Sequence, residues 1–124
     1  MSKEELYRII ECYGDAARRA QLAGSDMVEV HCAHGYLVST FISQRTNNRT
    51  DEFGGCFENR MRLPRLIIEN IRKKTGGNLP ILCRINACDE VPGGLYAAYI
   101  PTGGASFGEG GWISAVAVSR AEQL

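Results

Sequence analysis

Amphipathic helical segments alternate with short apolar segments in the first 85 residues, and this alternation constrains the fold more than any other feature. Apolar side chains recur at helical spacing over residues 2–24 and again from about 58 to 74. The valine-rich segment 27–31 and the segment 80–85 have the length and composition of strands. A helix–strand–helix–strand order predicts an α/β fold in which parallel strands are joined by right-handed crossovers.

Start and stop signals bound both predicted helices. Ser2 is a candidate N-cap, and Glu5 stands at the capping-box position three residues later. Gly24 can end the first helix, and Gly76 can end the second after a basic last turn that suits the helix dipole. Pro64 lies inside the second helical pattern, so we expect a kink or a late start there.

Two segments follow neither pattern. Residues 33–56 form a long connection with a polar middle, and such connections in a compact domain are usually functional or disordered. Apolar residues near its start indicate that it packs; they are Leu37, Val38, Phe41 and Ile42. Seven of the 14 glycines lie between residues 93 and 111, and no firm element is predicted there. We therefore divide the chain into an α/β part, 1–95, and a glycine-rich tail of uncertain structure, 96–124.

The composition limits the functions open to the chain. The 14 lysines and arginines balance the 14 aspartates and glutamates, so no net field attracts nucleic acid or an anionic membrane. No stretch approaches the ~20 apolar residues of a membrane span, and no signal peptide is recognised, so we expect a cytoplasmic protein. Five irregularly spaced cysteines predict neither a disulfide framework nor a metal site.

His31, His34 and Tyr36 are the first candidates for chemistry, because they lie at the end of the first predicted strand. Folds of this class bind ligands at the carboxyl ends of parallel strands. Two imidazoles and a phenol can donate hydrogen bonds to a carbonyl or nitro oxygen, and Tyr36 can also deliver a proton. The alternative is that the histidines only hold the loop in place. His-x-x-His supplies two metal ligands at most, so no metal is expected.

Arg84 is a further candidate because it interrupts an apolar strand. If it is buried, its guanidinium needs either an ion-pair partner, Glu29 or Asp89, or an anionic ligand. The glycine pairs at 54–55 and 93–94 match no phosphate-binding motif. Four arginines between positions 45 and 62 alternate with acidic residues, which favours an internal salt-bridge network over a phosphate site.

Several motifs together resemble the old yellow enzyme family. They are AARRAQLAG at 16–24, VEVHCAHGYL at 28–37, RTDEFGG at 49–55 and ENRMR at 58–62. Within that family the chain is most similar to NADH:flavin oxidoreductases of the 2-enoate reductase and 2,4-dienoyl-CoA reductase type. The resemblance extends from about residue 2 to residue 95.

The resemblance implies the middle part of a (β/α)8 TIM barrel, with FMN at the C-terminal face of the strands. NAD(P)H would reduce the FMN, which would pass hydride to the β-carbon of an activated alkene such as a 2-enoate or an enoyl-CoA-like substrate. His31 and His34 would bind the substrate's carbonyl oxygen, and Tyr36 would add the proton at the α-carbon. Arg84 would lie against the pyrimidine side of FMN, and the segment 49–62 would shape the substrate-side loop.

The length sets a limit on this implication. A complete eight-unit barrel needs about 250 residues, whereas the chain has 124. The family's early strands, its late FMN phosphate loops and the iron–sulfur cysteines of its larger members have no counterpart among the motifs. We expect an incomplete chain whose tail after residue 95 results from a changed reading frame. The alternatives are a non-catalytic fragment, or a half-barrel that needs a partner or self-associates through unpaired strand edges.

Overall fold

The described part of the chain contains seven helices and strands. The computed structural model describes residues 1–86, residues 89, 92 and 94, and the backbone of residues 115–118. In chain order the elements are α1 Lys3–Leu22, β1 Val28–Cys32, α2 Leu37–Ile42, α3 Phe57–Arg60, α4 Arg62–Thr75, β2 Ile81–Asn86 and β3 Ala115–Val118. None of these helices is long and apolar enough to cross a bilayer.

The strands form one parallel sheet in the order β1-β2-β3. The register sets Val30 opposite Cys83 and His31 opposite Arg84. Because β1 and β2 are parallel and are joined through helices, the predicted α/β order is confirmed.

The third strand lies in the glycine-rich segment 96–124, where the sequence predicts no firm element. Its backbone pairs with β2, with Ala115 opposite Cys83. Four residues of alternating alanine and valine are too short a pattern to separate a strand from irregular chain, which is why the sequence does not reveal β3. The rest of the segment, and with it the predicted change of reading frame after residue 95, lies outside the described residues.

The first helix is held by the capping box that its sequence predicts. Ser2 Oγ accepts a hydrogen bond from Glu5 N at 3.2 Å, and Ser2 N donates to Glu5 Oε2 at 2.7 Å. The helix ends at Leu22, and Gly24 follows with a left-handed φ of +89°. The capping bonds satisfy backbone N–H groups that a helix start leaves without partners.

Pro64 accounts for the division of the second helical region. The short helix α3 ends at Arg60 and α4 begins at Arg62, so Pro64 lies in the first turn of α4, where its missing N–H costs no helical hydrogen bond. The expected late start is therefore confirmed. Gly76, with φ of +71°, ends α4 as predicted.

One face of the sheet packs against the long helices, because successive strand residues point to opposite faces. The helix-facing residues of β1 and β2 join one apolar cluster with α1 and α4. Its members include Val30, Cys32, Ile81, Cys83, Leu6, Ile10, Leu63, Ile67, Ile68 and Ile71. The alternate strand residues are partly or fully exposed on the other side, here called the open face; they are Glu29, His31, Leu82, Arg84 and Asn86.

The long connection between α2 and α3 packs against the domain, as its apolar residues predict. Phe53 is fully buried. Asn47 Nδ2 donates to Phe41 O and to Phe53 O, both at 2.7 Å. Arg60 Nε donates to Ile42 O at 2.9 Å, which joins the end of α2 to α3.

The four arginines between positions 45 and 62 are engaged inside the domain, although mostly not as ion pairs. Arg49 pairs with Asp51 and holds the pKa of that carboxyl down at about 2, chiefly through their hydrogen bonds. Arg62 Nε donates instead to Glu52 O at 2.7 Å, and Arg45 Nη1 donates to Pro92 O at 3.1 Å. Of the salt-bridge network predicted from sequence, the described residues contain the Arg49–Asp51 pair, and the other three arginines bond mainly to backbone carbonyls.

Gly54 provides a test of how tightly this connection is packed. A Cβ on Gly54 would lie 2.1 Å from Arg49 O and 2.6 Å from Arg49 C. Because backbone atoms cannot swing away, Gly54→Ala is expected to lower the free energy of unfolding by about 2–4 kcal/mol, measured by chemical denaturation.

The neighbouring Gly55→Ala is the matched control. Gly55 has a φ of +83°, and a Cβ added there would meet open space. Gly55→Ala should therefore lower the free energy of unfolding only by the cost of placing alanine in the left-handed conformation, about 1–2 kcal/mol. Equal losses in the two variants would contradict the proposed contact.

Candidate active site

Three residues predicted to carry chemistry lie together at the carboxyl end of β1. The ring centroids of His31 and His34 are 5.1 Å apart, and those of His31 and Tyr36 are 5.3 Å apart. His31 belongs to β1, and Tyr36 is the N-cap residue of α2, so regular elements flank the group on both sides. Tyr36 is 65% exposed, so a small molecule can reach it from solvent.

A strained turn brings the three rings together. His34 has a φ of +60° and Gly35 a φ of +75°, and the left-handed conformation costs a residue such as histidine about 1–2 kcal/mol. Strain of this kind persists only where surrounding contacts hold it. Three backbone donors supply such contacts: His34 N to Asn86 Oδ1 at 3.0 Å, Gly35 N to Ser39 Oγ at 3.3 Å and Tyr36 N to Ala33 O at 3.3 Å.

Arg84 lies opposite His31 in the sheet and forms an ion pair on the open face. Its Nε donates to Glu29 Oε1 at 2.8 Å and its Nη2 to Glu29 Oε2 at 3.3 Å. The sequence leaves Glu29 and Asp89 open as partners of Arg84, and in the described structure the partner is Glu29. The Arg84 side chain is 34% exposed. It is therefore not a buried cation, and burial alone does not require it to have a partner.

The ion pair changes the proton affinity of both groups. Hydrogen bonds from Arg84 lower the pKa of the Glu29 carboxyl, and the same bonds raise the pKa of the Arg84 guanidinium. Glu29 therefore stays ionised to lower pH than an isolated glutamate, and it offsets part of the positive charge of Arg84 on the open face.

Asn86 is a residue of this site that the sequence analysis missed. It is the last residue of β2, and its side chain contacts both His34 and Asp89. The available signal was an asparagine directly after the predicted strand 80–85, at the strand end where ligand-binding loops occur.

The arrangement suits an oxygen atom that carries negative charge. Arg84 supplies a cation, and His31, His34 and Tyr36 supply ring N–H and hydroxyl donors near the same end of the sheet. Within the part of the chain that the structure describes, no three His, Cys, Asp or Glu side chains are grouped to hold a metal ion. Cys32 and Cys83 are buried and Cys12 and Cys56 exposed, all with free thiols, whereas Cys88 lies outside the described residues.

The sequence matches the profile of the NADH:flavin oxidoreductase / NADH oxidase family over residues 1–99. It is 48% identical over 90 residues to the NADH oxidase of Thermoanaerobacter brockii, an alignment that covers 73% of this chain and 14% of that protein. It is 40% identical over 102 residues to the NADPH dehydrogenase of Geobacillus thermodenitrificans, which covers 82% of this chain and 29% of that protein.

Solved structures show the same similarity. A complex of 2-naphthoyl-CoA reductase with 2-naphthoyl-CoA matches with a TM-score of 0.76 at 39% identity, over 79% of this chain and 15% of that one. The old yellow enzyme homologue from Zymomonas mobilis matches with a TM-score of 0.69 at 36% identity, over 78% of this chain and 27% of that one. These neighbours confirm the predicted fold class, part of a (β/α)8 barrel. The chain spans between 14% and 29% of the length of these four proteins.

The ion pair on the open face can be tested through its titration. In Arg84→Gln the pKa of Glu29 should rise toward the ordinary value for glutamate, because the hydrogen bonds that favour the carboxylate are lost. Since the pKa of Glu29 is lowered by folding, the stability that the pair contributes is present above that ordinary value and is lost as the pH falls through the lowered one.

Carboxyl carbon chemical shifts of Glu29, followed by NMR from neutral to acidic pH, measure this change. The matched control is Arg65→Gln, which removes an exposed arginine paired with Glu69 on α4 at 3.7 Å. The control should leave the titration of Glu29 unchanged. An unaltered Glu29 titration in Arg84→Gln would show that the pair does not form in solution.

Proposed function

Because this chain belongs to the NADH:flavin oxidoreductase / NADH oxidase family, we propose that it carries the substrate-binding part of an FMN-dependent ene reductase. The proposed reaction consumes NAD(P)H and a proton and converts an activated alkene, such as a 2-enoate or an enoyl-CoA-like compound, into its saturated product. The observation that carries the proposal is the grouping of His31, His34 and Tyr36 at one end of the sheet, beside the strand that bears Arg84.

The donor set fits a flavin and an alkene that bears a carbonyl group. When bound, FMN supplies hydride transfer between the nicotinamide and the alkene. Arg84 is the residue of this chain that would hold the flavin, because a cation with several N–H donors suits an electron-rich ring system that gains negative charge on reduction. Glu29 keeps the guanidinium in a defined orientation through two hydrogen bonds.

His31 and His34 are proposed to bind the carbonyl oxygen of the substrate. Two N–H donors on one oxygen draw electron density away from the conjugated double bond, which makes its β-carbon a better acceptor for hydride. The strained turn at His34 holds the second imidazole beside the first before a substrate arrives.

Tyr36 is proposed to donate the proton to the α-carbon. Its ring lies beside that of His31, so a substrate whose oxygen contacts the histidines would be close to the phenol. Its backbone is fixed at the start of α2, where it is the N-cap residue.

One observation favours a second candidate, a half-barrel that becomes complete on association. β1 is an edge strand of the described sheet, and the open face next to it carries Glu29 and Arg84 in partly exposed positions. Unpaired strand edges are sites where further strands add. In this case the chain would bind FMN only as an assembly.

Flavin binding by this chain tests the proposal directly. The purified chain is mixed with FMN, passed through a gel-filtration column and examined for flavin absorbance in the protein peak. We expect retained flavin, and Arg84→Ala should weaken the binding by about tenfold or more because a charge-assisted contact is lost.

Arg65→Ala, which removes an exposed arginine of α4, is the control and should keep the affinity of the parent chain. A colourless protein peak would count against flavin binding. Flavin that elutes only with a larger species would favour the half-barrel that needs association.

Tyr36→Phe tests the proton donor. Removal of a general acid typically slows a proton-transfer step by about 10²–10⁴-fold, so reduction of an α,β-unsaturated ketone should slow far more than oxidation of NAD(P)H. Stopped-flow absorbance follows the two half-reactions separately. Tyr7→Phe removes the hydroxyl of a half-exposed tyrosine on α1 and should change neither rate. Equal slowing of both half-reactions by Tyr36→Phe would exclude the assigned role.

A further inference from the structure

A chain of polar contacts links the end of β2 to both sides of α2. Asn86 Oδ1 accepts from His34 N at 3.0 Å, and Asn86 Nδ2 donates to Asp89 Oδ1 at 3.0 Å. The other carboxylate oxygen, Asp89 Oδ2, accepts from Ser43 Oγ at 2.8 Å. His34 precedes α2 and Ser43 follows it, so the pair formed by Asn86 and Asp89 joins the two ends of this helix.

The contact with His34 acts where the backbone is strained. His34 has a φ of +60°, a conformation that a residue with a side chain leaves unless another contact holds it. Asn86 Oδ1 provides that contact from a neighbouring strand, through the backbone N–H and not through the ring. The imidazole therefore remains available for a ligand while its backbone position is fixed.

The contact at the C-terminal end of α2, between Ser43 and Asp89, affects the position of Tyr36. Helix α2 has six residues, too few to be stable by itself, so its position depends on its buried apolar side chains and on the contacts at its ends. Ser43 is its C-cap residue and is 4% exposed, which leaves its hydroxyl little freedom once it is bound to Asp89. Because Tyr36 is the N-cap residue of the same helix, a shift of α2 would move the phenol away from His31.

We propose that Asn86 is a positioning residue of this site, which sets the spacing of the His31, His34 and Tyr36 rings from the neighbouring strand. Its consequence for catalysis rests on the proposed function, whereas its effect on the geometry of the loop does not. Asparagine suits the position because it accepts and donates at once: the carbonyl faces an N–H group and the amide NH₂ faces a carboxylate. Alanine would remove both contacts.

Changes of charge at positions 86 and 89 test this role of Asn86. Asn86→Asp alone would set two carboxylates against each other at the distance of the present hydrogen bond. The double swap Asn86→Asp with Asp89→Asn would restore these three hydrogen bonds, with the donor and acceptor of the middle bond exchanged, because a carboxylate accepts from His34 N and an amide carbonyl accepts from Ser43 Oγ. A residue that only fills space would show no such rescue.

NMR on the purified chain tests the proposal without FMN or substrate. Two signals report the loop: the strong amide–Hα NOE within His34, which reflects its positive φ, and the NOE between the His31 and Tyr36 rings. In Asn86→Ala we expect both NOEs to be lost while the β1 amide signals keep their chemical shifts, and in the double swap we expect both to return. The matched control is Asn70→Ala on α4, which removes another asparagine–carboxylate bond, Asn70 Nδ2 to Glu11 Oε1 at 2.6 Å, and should leave both NOEs intact.

If both NOEs are unchanged in Asn86→Ala, the proposal is overturned. If Asn86→Ala fails to fold, the double swap decides alone: retained NOEs support the assignment, and their loss overturns it.

Kinetics then separate this inference from the proposed function. With FMN bound, Asn86→Ala should raise the KM for an α,β-unsaturated ketone about tenfold and leave the KM for NAD(P)H unchanged, since only the alkene site is disturbed. Equal changes in both KM values would overturn the catalytic consequence. Loss of the NOEs in Asn86→Ala, together with no NAD(P)H oxidation by the parent chain, would support the positioning role and reject the proposed function.

Discussion

The parallel register of β1 and β2 is the constraint on which the core and the site both depend. It sets Val30 opposite Cys83 inside the apolar cluster and, one residue further along, His31 opposite Arg84 on the open face. Because side chains alternate between faces, a slip of one residue in β2 would turn Arg84 toward the helices and Cys83 toward the site. A charged guanidinium among the isoleucines of α4 would be strongly unfavourable. The packing of the core therefore selects the register, and the register brings the site residues together.

Local patterns account for the parts of the fold that could be predicted. The capping box at Ser2, the late start at Pro64 and the left-handed stop at Gly76 each depend on neighbours within a few residues, so the sequence contains the whole signal. The grouping of His31, His34 and Tyr36 was predictable for the same reason, since all three belong to one strand and the turn that follows it.

Contacts between distant positions account for what the sequence could not supply. The bond from His34 N to Asn86 Oδ1 joins residues 52 positions apart, and no periodicity marks the asparagine that ends β2. The choice of Glu29 over Asp89 as the partner of Arg84 depends on which residues share a face and on the contacts that Asp89 makes with Asn86 and Ser43. The strand β3 was missed because its few alternating residues match several structures equally well.

The two faces of the sheet have different roles: one packs in the core and the other carries polar and charged groups. The helix-covered face carries the apolar burial that stabilises the fold, and its residues can vary only within tight limits of volume. In a (β/α)8 barrel the opposite face of the strands forms the interior, and catalytic residues occupy its carboxyl end. On β1 and β2 that face carries Glu29, His31, Arg84 and Asn86, together with Leu82. Charged and polar groups there contribute little to the core, so they can be arranged for chemistry. The Glu29–Arg84 pair illustrates the consequence: its two hydrogen bonds orient the guanidinium, while the glutamate limits how much positive charge an anionic ligand would meet.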